Sequence, residues 1–292
     1  MRRNAHRRGT VLLAVLWSIS LLSALAMAAA VTFRGYAGVM ALERDRVQAD
    51  ALLTAGLELA AATMVTPDAP LAEIDTALTL ATGAVRVRLA DEGGRIDIGQ
   101  APLELLAALL QSIGAPPAAA KDMAQRIVER RDGRPARPDA ARRTTNVAPR
   151  RAAPSQAFSD VRQLNAIPGM APEWIAAIAP LTTVFGSETV NPLTAPPGVI
   201  AALPGFDGAR LDAFLRTRRS FPADADRLMQ IAGAAQAYLS VKPQRVAAVE
   251  LNAQLTNGYA AAARAVIVML PQDIEPYRVL AWTPLRSEQG RR

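Results

Sequence analysis

The chain has 292 residues, no cysteine, one histidine, and a formal net charge of +7 from 33 Lys and Arg against 26 Asp and Glu. Without cysteine, disulfide stapling and thiol chemistry are excluded, and His6 alone supports neither histidine catalysis nor a zinc site. The arginines concentrate in residues 2–8 and 131–156, so the basic balance is local and is no argument for nucleic acid by itself.

Residues 9–33 carry no charge and are mostly Leu, Ala, Val and Ile, directly after Arg2, Arg3, Arg7 and Arg8. As a helix this stretch reaches about 36 Å, enough to cross a hydrocarbon core of about 30 Å. The arginines hold the N-terminus in the cytoplasm and send everything after Arg34 outward. A secretory signal cleaved near Ala26-Met27-Ala28 is the weaker reading, because its apolar core spans only about 7–15 residues. A plain signal anchor accounts equally for hydropathy and charge. A third feature is the abrupt stop of the basic leader at Gly9, with Thr10-Val11-Leu12 following and no polar spacer. That junction resembles the processing site of type IV pilin-like proteins, the pseudopilins of type II secretion among them. The resemblance implies a 1–9 leader, cleavage by a prepilin peptidase between Gly9 and Thr10, N-methylation of Thr10, and a 10–33 transmembrane helix. The fifth mature position, usually glutamate in that family, is Ala14 here, which suits a subunit with no neighbour above it.

The helix is expected to continue as a periplasmic stalk over 34–66. No proline occurs before Pro67, and Leu42, Ala49, Leu53, Gly56, Leu57 and Ala60 recur on one face. Residues 67–100 read as the first part of a sheet. Val85, Val87 and Leu89 alternate with Arg86 and Arg88, Asp91-Glu92-Gly93-Gly94 reads as a turn, and Ile96 and Ile98 alternate beyond it. The pattern then becomes helical over 101–235. Pro102 opens a run striped by Leu103, Leu106, Leu109, Leu110 and Ile113, and Ala119–Arg131 follows as a second helix. Residues 131–156 are rich in Arg, Pro and Ala without apolar period, and read as a solvated basic linker.

Two segments then share one design. Leu164-Asn165-Ala166-Ile167-Pro168-Gly169-Met170 leads into a helix at Pro172, and Leu203-Pro204-Gly205-Phe206-Asp207-Gly208 leads into another. Both resemble the helix-hairpin-helix, which binds phosphate through amides at a helix N-terminus. The closing glycine of that motif is replaced by Ala171 and Asp207; Asp207 caps its own helix and repels phosphate, so both units read as packing devices. Arg210, Arg216, Arg218 and Arg219 keep a second reading open, a membrane-anchored DNA-binding protein for DNA uptake. Residues 236–292 return to strands at Tyr238–Val241, Val246–Leu251, Ala262–Leu270 and Tyr277–Trp282, with Asn257-Gly258 a strong turn signal.

Three of these segments, taken in order with the N-terminus, carry a closer likeness. Asp91–Ile98, Arg130-Arg131-Asp132-Gly133 and Val190-Asn191-Pro192-Leu193-Thr194-Ala195-Pro196 resemble segments of the general secretion pathway protein K family of minor pseudopilins. The resemblance implies an α+β pseudopilin fold: a long N-terminal transmembrane and stalk helix on a small antiparallel sheet. A large all-helical domain is then inserted between the early and late strands. It implies no enzyme, and a tip subunit that starts or caps the filament exporting folded proteins across the outer membrane. The expected location is the bacterial inner membrane, single pass, with the bulk periplasmic. Expected partners are other minor pseudopilins, the prepilin peptidase and inner-membrane lipid, with exported cargo and the outer-membrane channel as further candidates and no nucleic acid. Ala14, Ser18 and Ala28 are the expected close-packing residues of the stem. Calcium is implied by the resemblance alone. The loop with Glu188 and the turn at Asp91 and Glu92 are oxygen-rich, but neither has regular acid spacing, and no ligand is assigned.

Overall fold

The computed structural model describes residues 5–65, 74–133, 158–222, 224–242, 244–270 and 273–285. The expected linker at 131–156 therefore lies outside the described residues from position 134 on.

One helix, α1, runs from Ala5 to Met64. Its polar hydroxyls turn inward on the backbone: Ser18 Oγ donates to the Ala14 carbonyl at 2.9 Å and Thr54 Oγ1 to that of Asp50 at 3.0 Å. Leu13–Ala30 has a mean hydropathy of 2.1 and no residue buried within the protein, which makes α1 long and apolar enough to cross a membrane. Its outer half is one-sided. Ala49, Leu52, Leu53, Leu57 and Ala60 are buried, and they face a five-stranded sheet.

That sheet is antiparallel throughout, in the order β1-β2-β5-β6-β7: β1 Ile74–Leu80, β2 Gly83–Asp91, β5 Val246–Leu255, β6 Ala260–Met269 and β7 Tyr277–Leu285. The alternation in β2 does its expected work. Val85, Val87 and Leu89 are buried under α1, whereas Arg86 and Arg88 point away and share Asp75 of β1 at 2.7 and 3.2 Å. The Asp75 carboxyl is held below its usual range by its hydrogen bond to Arg86, with burial opposing.

The register of β2 corrects one sequence expectation. Ile96 and Ile98 do not return along β2. Asp91 caps a 3-10 turn at Glu92–Gly94, and that turn lifts the chain out of the sheet. Ile96–Asp97 (β3) then pairs in parallel with Thr182–Thr183 (β4) inside the helical domain, where Ile96 and Ile98 are fully buried. The true partners of β2 are β1 and β5. A second correction concerns Tyr238–Val241, which forms no strand: a 3-10 turn spans Gly233–Tyr238, and Leu239 makes a single bridge to Val190. Leu239 is buried in the helical core, and its position there, rather than a ladder, explains its apolar neighbours.

Between β2 and β5 lies the helical domain, with α2 Leu103–Ser112, α3 Pro117–Arg131, α4 Pro172–Ile178, α5 Pro197–Ala201, α6 Gly208–Ser220 and α7 Ala225–Ala232. It has its own core, centred on Leu105, Leu106, Leu109, Ile127, Leu164 and Phe214. Fully burying one such side chain contributes roughly 1.5–3 kcal/mol, so the domain does not depend on the stalk for its apolar interior. The expected α+β architecture is thus the observed one, a stalk helix on an antiparallel sheet with a domain inserted between early and late strands; that domain is mostly helical and also holds the short β3–β4 ladder.

Two side-chain bonds orient this body along α1. Asn257 Nδ2, in the β5–β6 turn, donates to Asp45 Oδ1 at 2.9 Å, and Tyr277 OH donates to Glu58 Oε1 at 2.6 Å. Asp45 is nearer the membrane stem and Glu58 about 20 Å farther along the helix. Asp91 and its partner Ala247 lie at the Glu58 end of the ladder, so the helical domain leaves the sheet on the side away from the apolar stem.

Candidate functional site

Ala14, Ser18 and Ala28 fall within one face of α1, about 80° wide from the 100° advance per residue, and all three are exposed. Leu21 and Leu25 fall within the same arc, so the face mixes small and large side chains, and the bond from Ser18 to the Ala14 carbonyl turns its hydroxyl onto the backbone. Leu16, Trp17, Leu21, Leu22 and Leu25, on and beside this arc, are at least 63% exposed, a surface that water does not favour and lipid or another helix does. Gly9 and Thr10 lie in the backbone of α1, and their side chains are outside the described residues.

The second site is the joint between sheet and helical domain, where two motifs noted separately in the sequence meet. Asp91 is 8% exposed, and its carboxylate accepts from Gly93 N at 2.9 Å, Asn191 Nδ2 at 3.0 Å and Thr194 Oγ1 at 2.6 Å. Asn191 N in turn donates to the Gly93 carbonyl at 2.8 Å. Gly94 lies so close that a Cβ would stand 2.9–3.0 Å from the Thr194 and Ala195 backbone. Burial pushes the Asp91 pKa up while the three hydrogen bonds oppose it. Beside it Glu92, 2% exposed, pairs with Arg95 at 3.1 Å and more distantly with Arg264 of β6 at 4.0 Å. Sequence reasoning singled out both motifs but did not pair them; the signal was a polar Asn-x-x-Thr in an otherwise apolar setting.

Arg218 completes the joint. Its Nη1 donates to the carbonyls of Pro192 and Ala195 at 3.1 and 2.6 Å, its guanidinium lies 6.0 Å from the Phe214 ring, and burial lowers its pKa. Its fork is therefore engaged with backbone. Arg210 is also drawn back onto its own hairpin, donating to the Gly205 carbonyl at 2.8 Å. Asp207 accepts from Arg210 N at 2.7 Å, the cap expected from sequence, whereas Ala171 caps α4 with no side-chain bond. Both hairpins turn at glycines with positive φ, Gly169 at 84° and Gly205 at 77°. Replacing Arg218 by Ala is expected to cost about 2 kcal/mol, because two buried carbonyls lose a charged donor, with Lys restoring only part. Chemical denaturation of the two variants checks this.

Calcium, implied by resemblance, can be tested on the donors. A cavity of about 370 Å³ is lined by Asp97, Gln100, Arg131, Asp132, Phe158 and Glu188. Asp97 already accepts from Gly99 N and Gly186 N, both at 2.6 Å, and burial raises its pKa. Asp132 pairs with Arg131 at 3.2 Å. Among the described residues no group of three His, Cys, Asp or Glu stands close enough to hold a metal ion. Asp91 and Glu92 are taken up by protein donors. No calcium ligand is therefore assigned among the described residues.

Comparison with known proteins gives two findings. Residues 87–187 match the family model described as type II secretion system (T2SS), protein K. No curated protein sequence matches the chain. Among solved structures, a chain of "The Crystal Structure of the GspK-GspI-GspJ complex from enterotoxigenic Escherichia coli Type 2 Secretion System" is similar at a TM-score of 0.61 and 17% identity, covering 84% of this chain and 98% of that one. The matched residues run from within β2 through Asp91 and the first helices to the loop just before Glu188, and stop short of Asn191, Thr194 and Arg218 of the joint. The likeness to protein K of type II secretion is thus carried by residues 87–187, and the body around them shares its fold with the similar solved structure.

Proposed function

We propose that this chain is the tip subunit of a type II secretion pseudopilus, starting or capping the filament that exports folded proteins across the outer membrane. The observation that carries the reading is the placement of the described residues of the helical domain, 92–133, 158–222 and 224–242. They leave the sheet at the end away from the membrane, where a next subunit would have to stack. Ala14 supports it: with no carboxylate in the apolar stem, there is nothing to neutralise the amino terminus of a neighbour. The role is structural and needs no catalytic group. α1 would lie in the inner membrane, N-terminus inside, with Ala14, Ser18 and Ala28 against the stems of other minor pseudopilins. The related structure is a complex of three Gsp proteins, which supports partners of that kind.

Immunogold labelling of the helical domain on assembled filaments tests the placement. One label at one end is the expected result; labels along the length would sink the tip reading. Processing is tested separately. Sequencing of the mature protein is expected to begin at N-methylated Thr10, and Gly9→Val is expected to keep the leader. A start near residue 29 would mean release by signal peptidase instead.

A further inference from the structure

Three carboxyl side chains are buried among the described residues: Asp91, Glu92 and Asp97. Asp91 closes the joint and Glu92 pairs with Arg95. Asp97 is placed differently. It is 2% exposed, makes no ion pair among the described residues, and borders the cavity of about 370 Å³. Its oxygens accept from the amides of Gly99 and Gly186, which are neutral donors. A carboxylate taken out of water is costly without a counter-charge. Arg131 lines the same cavity but is engaged elsewhere, its Nε with Asp132 at 3.2 Å and its Nη1 with the Ala101 carbonyl at 2.9 Å. The buried acid therefore opens onto a space where a cation would meet it.

The rest of the wall selects the kind of cation. Asp132 and Glu188 also line the cavity, so carboxylates outnumber Arg131 by three to one and an anion is disfavoured. Glu188 is exposed and makes no hydrogen bond or ion pair among the described residues. These acids do not converge closely enough to hold one metal ion. Phe158, 6% exposed, and Val184 add an apolar wall. We propose that this cavity seats a guanidinium group carried on an apolar stem. The planar fork has five N–H donors and reaches separated acceptors, where a compact ammonium reaches fewer. The stem lies along Phe158 and Val184; Arg130 already sets its guanidinium 5.9 Å from the Phe158 ring centroid. The volume falls in the range of about 300–1,000 Å³ usual for small-ligand sites. A free molecule or an arginine side chain can supply the group. One such supply is close in the chain, since Asp132 and Phe158 bracket a stretch with six arginines and one acid, Asp139. The binding is separate from the tip role, which needs no ligand.

The test uses the full chain in detergent with n-butylguanidinium as the probe, titrated by saturation-transfer NMR. The chain is expected to bind it saturably, Glu188→Gln to bind it about fivefold more weakly, and Asp97→Asn to lose binding. Glu188→Gln decides the matter even if Asp97→Asn fails to fold, because an exposed side chain with no protein partner can change without disturbing its neighbours. A second arm separates the sources: the six arginines of 134–151 are replaced together by alanine. Binding that appears only in that variant, or tightens there by about tenfold or more, makes the chain's own arginine the occupant. Equal affinity in the two chains makes the occupant a free guanidinium compound. Saturable binding in neither chain overturns the proposal, as does an affinity that Glu188→Gln leaves unchanged. Displacement of the probe by an equal concentration of calcium chloride would make the cavity a metal site and overturn it as well.

Discussion

Asp91→Ala is expected to lower stability by about 3 kcal/mol and the melting temperature of the detergent-solubilised chain by about 10 °C. Its carboxylate satisfies three donors at a largely buried place: Gly93 N, Asn191 Nδ2 and Thr194 Oγ1. Removing the acceptor leaves these donors unpaired, and each buried orphan costs about 1–3 kcal/mol before relaxation. Thr194→Val removes only one partner and is expected to cost about 1.5 kcal/mol, because a hydrogen bond to a charged group is worth about 1.5–3 kcal/mol. The two changes touch one network, so the double variant should fall short of their sum. The damage should also be placed unevenly. The stalk–sheet core and the helical core are separate clusters, so the variant is expected to loosen their joint before either core melts, read as early protease cutting between residues 91 and 102. The sign of the pH dependence follows from burial. A carboxyl whose native pKa is raised binds its proton more readily in the native state than in the unfolded one. This group's contribution therefore declines as pH climbs from the ordinary carboxylate range through the raised value, and is flat above it. Equal protease resistance in wild type and Asp91→Ala would remove the joint from the account.

The joint also shows where sequence reading reached and where it stopped. Periodicity delivered α1, because sixty residues without proline and with one apolar face admit few other structures. It delivered β2, β5, β6 and β7 as strands, because β-branched residues alternate or cluster between turn signals. It missed β1, whose sequence Ile74-Asp75-Thr76-Ala77 is weak in strand formers and precedes a turn at Ala81 and Thr82 with no Asn-Gly mark. It assigned Ile96 and Ile98 to the sheet because alternation gives the period of a strand and not the identity of its neighbour. The neighbour was fixed instead by a contact across about a hundred residues of chain, Asp91 to Asn191. Arginines of the second hairpin looked available for phosphate in sequence; Arg218 is in fact folded onto two carbonyls whose positions no local spacing encodes. The tip reading depends on the same long-range register, since only the pairing of Asp91 with Ala247 tells which end of the sheet bears the helical domain.

Gly56→Leu is expected to destabilise the stalk–sheet contact by about 3 kcal/mol, at the upper end of the usual cost of overpacking. Gly56 sits in the buried stripe of α1, where a Cβ would meet Val85 Cγ2 at 2.8 Å, Leu251 Cδ2 at 2.9 Å and Val87 Cγ2 at 3.2 Å. Those atoms belong to β2 and β5, the centre of the sheet, and both strands are paired on each side and unable to retreat. Alanine is the discriminating control. It gains about 1 kcal/mol of helix propensity over glycine, and the methyl tips it presses can rotate by a few tenths of an ångström. Gly56→Ala should therefore be near neutral, and leucine, which has nowhere to place three further carbons, should not. The consequence extends beyond stability. α1 is continuous from stem to sheet, so lifting it from Val85 and Leu251 tilts the membrane span relative to the helical domain. Denaturation of the two variants gives the energies, and recovery of the partner complex from membranes gives the assembly readout. Leucine tolerated as well as alanine in both measurements would mean that the stalk does not seat on β2 and β5 at this glycine.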